Sequence, residues 1–90
     1  MDIRLFADEM EKKLKANDHK LGWLGEDVEW LFIRLKEEVK ELGYILKKSG
    51  AMECNYPDCK DIPDIISEAA DVANFAMMIA DRVTVGRKDE

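Results

Sequence analysis

Apolar residues recur at steps of three and four along most of the chain, the spacing of one face of an α-helix. Ile3, Phe6, Met10 and Leu14 form the first such stripe and predict a helix from about 3 to 16. Asn17 and Asp18 favour a break. In the following Leu21-Gly22-Trp23-Leu24-Gly25 an apolar pair sits between two glycines. A second helix is predicted from about Glu26 to Lys48, with Val28, Leu31, Leu35, Val39, Leu42 and Leu46 as its core stripe. Glu26 and Asp27 suit the positive end of its dipole, Lys47 and Lys48 the negative end, and Ser49-Gly50 stops it. Residues 51–60 read as a loop. Asp61-Ile62-Pro63 reads as a helix start, with proline in the first turn, and the third helix runs to about Val83. Nothing alternates with the period of a strand. The expectation is an all-α fold: an antiparallel helical bundle, one domain over residues 1–85, with a charged tail at 86–90.

The third helix departs from an ordinary amphipathic pattern. From Ala69 to Ala80 only Asp71 and Asn74 are polar. A helix apolar nearly all round is covered nearly all round, which is more than two other helices can do. The chain is therefore expected to pair with itself, at least as a homodimer, with Phe75 and Met78 partly at the interface or near the site.

Charge narrows the partners. The formal net charge is −6, which argues against a nucleic-acid backbone as partner but not against one nucleotide whose phosphates a metal neutralises. No apolar run reaches the roughly 18 residues of a membrane span and no signal segment opens the chain, so the expected location is cytoplasmic, with no membrane partner. Cys54 and Cys59 lie five apart in one loop and are expected to be free thiols. A zinc site would need two more ligands, and His19 is the single histidine; we place His19 outside catalysis.

Four acids do not fit a bland helix. Glu38 falls about 60° from the centre of the second helix's stripe and Glu41 about 120°, on the same side. Arg34 and Trp30 share that flank. Glu68 and Asp71 are three apart on the third helix and share a face. The sequence thus reads Glu-x-x-Glu, 26 residues, Glu-x-x-Asp, and two antiparallel helices would set the pairs opposite each other. Like charges about 5 Å apart repel by roughly 3 kcal/mol at an effective dielectric near 20. A divalent cation or protonation relieves that, and all-oxygen ligands select Mg²⁺, Mn²⁺ or Ca²⁺ over zinc. Either half taken alone reads as a solvated face with partners such as Lys40; the joint pattern reverses that. Trp23 could stack on a base or cap the core, and Lys20 could reach a phosphate or lie in solvent. Asn74 could hold a ligand carboxylate or sugar hydroxyl, or bond between helices.

Leu35-Lys36-Glu37-Glu38-Val39-Lys40-Glu41-Leu42 followed by Glu68-Ala69-Ala70-Asp71-Val72-Ala73-Asn74-Phe75 resembles the MazG-like branch of the all-α nucleoside triphosphate pyrophosphohydrolases, over about residues 5 to 83. His19-Lys20-Leu21-Gly22-Trp23 is similar to a basic-glycine-tryptophan stretch in small members. The resemblance implies a helical bundle forming homodimers or homotetramers. It implies hydrolysis of NTP or dNTP to the monophosphate and pyrophosphate, with Mg²⁺ (or Mn²⁺) on Glu38, Glu41, Glu68 and Asp71. Glu37 matches a frequent extra acid before the motif, which would orient water or a second metal beside the substrate. Phosphoryl transfer needs neutralised phosphate charge and a positioned water, and Glu38 or Glu41 is expected to take the water's proton. No lysine-arginine cluster for a triphosphate tail is visible in the acidic second half. The rival readings are a catalytically inactive nucleotide- or metal-binding helical regulatory module and a structural helical dimer with incidental acids.

Overall fold

The computed structural model of the chain describes residues 1–16 and 23–87. The break at Asn17-Asp18, His19, the phosphate candidate Lys20 and residues 88–90 of the tail lie outside the described residues. Four α-helices follow in order: α1 Ile3–Ala16, α2 Val28–Lys48, α3 Ala51–Cys54 and α4 Ile62–Arg87, with a 3₁₀ turn at Cys59–Asp61. No strand occurs among the described residues. The all-α expectation holds, and none of the helices is long and apolar enough to cross a membrane.

Local chemistry sets the boundaries. The Asp2 carboxylate accepts from the backbone N–H groups of Arg4 (2.8 Å) and Leu5 (3.1 Å), satisfying two donors at the start of α1. Asp27 stands at the start of α2 but makes no side-chain cap bond, so α2 begins at Val28 rather than Glu26. Its end is as expected. Gly50 takes φ +86°, a left-handed conformation that costs a side-chain-bearing residue, and its N–H reaches the Lys47 carbonyl at 3.3 Å. The Ser49 hydroxyl donates to the Leu46 carbonyl. The expected loop 51–60 contains the one-turn α3, whose carboxyl end turns at Asn55 (φ +67°). Cys54 and Cys59 are exposed free thiols. Asp58 caps the 3₁₀ turn by accepting from the Lys60 N–H. α4 starts beside Pro63 as predicted and carries on through Gly86 to Arg87, absorbing residues assigned to the tail.

α4 is the central element, packed by α2 and by α1. Both neighbours run antiparallel to it: Glu26, Arg34 and Glu41 of the α2 side meet Arg82, Phe75 and Glu68, while Met10 and Lys13 of α1 meet Asn74 and Asp71. The buried apolar side chains among the described residues are few: Leu31, Ile45, Ala70 and Met78.

Two expectations about burial change. The buried line of α2 is Leu31, Glu38, Ile45, seven residues apart and so nearly in register on one face. Glu38 is on that line rather than at its edge. The predicted stripe was centred too far round: its members Val28 and Val39 are 40% and 50% exposed, as is the neighbouring Phe32 at 50%. The surplus apolar surface also sits on α2 rather than on α4. Met78 is buried inside the chain, and Phe75 is partly covered beneath the Arg34 guanidinium, 5.2 Å from its ring centre. Among the described residues α4 is packed by α2 and α1, whereas α2 is packed by α4 and by the short α3.

Candidate metal centre

The antiparallel pairing of α2 and α4 brings Glu38, Glu41 and Glu68 together. One oxygen from each lies within 4.8 Å of the others. They come from one turn of α2 and the facing turn of α4, so backbone geometry rather than loop conformation fixes their spacing. Glu38 is buried, Glu68 partly buried and Glu41 exposed, which gives the cluster a closed and an open side. Oxygens across an octahedral Mg²⁺ stand about 4.2 Å apart, and those around Ca²⁺ up to about 5 Å. The observed spread is within a side-chain adjustment of either. Glu68 Oε2 is buried and has no hydrogen-bond partner among the described residues, and a buried carboxylate oxygen left unpaired calls for a cation, a proton or a water. The residues present fit a hard divalent cation.

The electrostatics agree. Burial, then the shared hydrogen bond with Glu41 and the charges of Glu41 and Asp71, push the Glu38 carboxyl from 4.5 up to about 7, against the lowering effect of Arg34. Burial also raises Glu68, with Glu41 and Asp71 adding to it and Lys13 opposing. Without a cation, Glu38 and Glu68 keep their protons to higher pH than an ordinary carboxyl does.

Asp71, the fourth expected ligand, is placed beside the trio but turned to α1, where its Oδ2 pairs with Lys13 Nζ at 3.3 Å. Glu37 is on the outer flank with the Arg34 guanidinium at 2.6 Å. The same guanidinium lies 3.6 Å from Glu38 Oε2. Asn74 spends its amide on α1, donating to the Met10 carbonyl at 2.9 Å, and its Oδ1 is buried without a partner among the described residues. Trp23 is not brought to the carboxylates. Its Nε1 donates to Asp81 Oδ2 at 2.9 Å, about 15 Å along α4 from Asp71. There it and the Arg82–Glu26 carbonyl bond (3.0 Å) tie the entry of α2 to α4.

Two cations border the carboxylates: Arg34, on the Glu38 flank of α2, and Lys13, which reaches Asp71 from α1. Lys13 had a signal, since it falls about 20° from Phe6 on the same face of α1. A cleft of about 370 Å³ adjoins the carboxylates, lined by Lys40, Glu41, Tyr44, Ile45, Asp64 and Glu68. Tyr44 and Asp64 carried no distinguishing pattern, because their shared cleft exists only once α2 and α4 are paired. No family model, curated protein or solved structure matches the chain.

Proposed function

We propose that the chain is a Mg²⁺-dependent nucleoside triphosphate pyrophosphohydrolase of the MazG-like type, converting NTP or dNTP to the monophosphate and pyrophosphate. The observation that carries this reading is the three-carboxylate cluster with a buried Glu68 oxygen that has no partner among the described residues. Glu38, Glu41 and Glu68 would hold the cation, joined by Asp71. A bound Mg²⁺ or Mn²⁺ supplies charge neutralisation at phosphate oxygens and an acidified water. The chain's own residues do the remainder. Glu38 or Glu41 accepts the proton of the attacking water. Arg34 and Lys13 offset the cluster's negative charge. The adjoining cleft, with the Tyr44 ring and Ile45 on one wall and the Asp64 carboxylate on another, offers an apolar surface and an acceptor to the nucleoside. Pyrophosphate release across the common and damaged nucleotides, with Mg²⁺ and with Mn²⁺, tests the reading. Monophosphate plus pyrophosphate supports it. Diphosphate plus orthophosphate, or no turnover with any nucleotide, removes it.

One observation favours the alternative of a catalytically inactive nucleotide- or metal-binding module: Asp71 already has Lys13 as its partner. A chain of this kind would bind Mn²⁺ and nucleotide and release no pyrophosphate.

The reading includes a homodimer or homotetramer built on the uncovered stripe Val28, Phe32 and Val39. Phe32→Glu with Val39→Glu is expected to convert the assembly into single chains, since two buried carboxylates without partners oppose association. Light scattering checks this; a wild-type chain that is monomeric at micromolar concentration contradicts it.

A further inference from the structure

We propose that Lys13 is the phosphate-binding residue of this site, held in readiness on Asp71 until a divalent cation takes that carboxylate; this rests on the metal-centre reading above.

The case begins on α1. Its partly covered side chains are Phe6, Glu9, Met10, Lys13 and Leu14, a single face in which Lys13 is near the centre. A lysine there is unusual, because that side chain loses hydration. Lys13 is 28% exposed, and its one ionic partner among the described residues is Asp71, itself 16% exposed. The other lysines paired on α1, Lys12 and Lys15, bridge along their own helix at 72% and 76% exposure. Lys13 is not the sole polar tie between α1 and α4, since the Asn74 amide also donates to the Met10 carbonyl.

The position of the ammonium follows from its partner. Asp71 is one turn from Glu68 on α4 and acts electrostatically on both Glu38 and Glu68, and Lys13 acts on Glu68. The charge of Lys13 is therefore felt inside the cluster. Arg34, the second cation, already has Glu37, Glu38 and the face of Phe75. Lys13 is the more available: a compact charge on a flexible stem. Once a cation takes Asp71, the ammonium is left partly buried without an anion, which is costly. A phosphate oxygen entering beside the cation restores the pairing. Cation and Lys13 thus compete for Asp71 in the free protein, and Lys13 and nucleotide cooperate in the complex.

Electron paramagnetic resonance of free Mn²⁺ measures the first relation, and calorimetry with an α,β-imido nucleoside triphosphate at saturating Mn²⁺ measures the second. Lys13→Met is expected to bind Mn²⁺ about threefold more tightly than wild type, because a partly exposed ion pair no longer opposes it. It is expected to bind the analogue at least about tenfold more weakly, the loss of one charge-assisted bond. Lys13→Arg should keep analogue binding near wild type. A residue that only pins α1 would give a different result, with Mn²⁺ and analogue both weakened. Circular dichroism verifies the helices, and Lys13→Gln, which keeps a donor on Asp71, replaces the methionine variant if helicity is lost. Mn²⁺ bound no tighter, or analogue bound as tightly as by wild type, overturns the assignment of Lys13. A wild-type chain that binds no Mn²⁺ at millimolar concentration overturns the metal centre itself, and Lys13 with it.

Discussion

Glu38→Ala, Glu41→Ala, Glu68→Ala and Asp71→Ala are each expected to reduce pyrophosphate release by at least about a hundredfold, mainly in kcat, while the helical fold persists. The expectation follows from where the oxygens stand. Glu38, Glu41 and Glu68 share one cluster, so losing one leaves two of the three converging oxygens. Asp71 differs in kind. It is outside the trio and holds Lys13, so Asp71→Ala removes the fourth carboxylate and sets the ammonium loose together. Glu37→Ala is the matched control, since it removes an equal charge from the outer flank, where its partner is Arg34. Its activity is expected to stay within about threefold of wild type, the scale of a surface pair. Steady-state assays of released pyrophosphate, with circular dichroism on every variant, decide the matter. Equal losses in Glu37→Ala and Glu41→Ala would mean that charge in general matters and that the trio does not.

Metal-free protein is expected to melt higher at pH 6 than at pH 8, and Mg²⁺ is expected to reverse that order. The Glu38 carboxyl moves from 4.5 to about 7 on folding, chiefly through burial. The folded state thus holds the proton more tightly than the unfolded chain. The stabilisation is complete below the ordinary value and is lost as pH rises through about 7. The full window is worth on the order of 3 kcal/mol, and Glu68, raised for the same reasons, adds in the same direction. Part of the window lies between pH 6 and 8, and about 1 kcal/mol shifts the melting point of a domain this size by about 4–8 °C. Cation binding acts oppositely. It needs ionised carboxylates and so displaces the protons, and a cation at a hundred times its dissociation constant stabilises by about 2.7 kcal/mol. Melting curves at the two pH values, with and without Mg²⁺, measure both effects. Glu38→Gln should flatten the metal-free dependence and raise the melting point at pH 8. A flat profile in the wild-type chain would show that Glu38 is not confined with its neighbours.

The order of helices and the pairing of the acids were legible in the sequence because both depend on local spacing. Gly50 ends α2 by a conformation that a single residue type favours, and Pro63 opens α4 by its ring. Glu38 with Glu41, and Glu68 with Asp71, are one turn apart whatever the packing. An antiparallel pairing that turns these two faces toward each other brings them close. Other features required the helices to meet. The rotation of α2 that buries Glu38 between Leu31 and Ile45 and leaves Phe32 and Val39 uncovered is set by which face α4 occupies; an apolar stripe broader than one contact leaves that open. The assignment of Trp23 to Asp81, 58 residues away, and of Asn74 to Met10, 64 residues away, has no local signature. The cations of the site show the division most clearly. Helical spacing puts Lys13 about 20° from Phe6, at the edge of the apolar stripe of α1, and does not mark it as a site residue. That its ammonium ends on Asp71 beside three more carboxylates was decided by the antiparallel seating of α1 on α4, since a helix face specifies a direction and only a neighbour specifies what lies there.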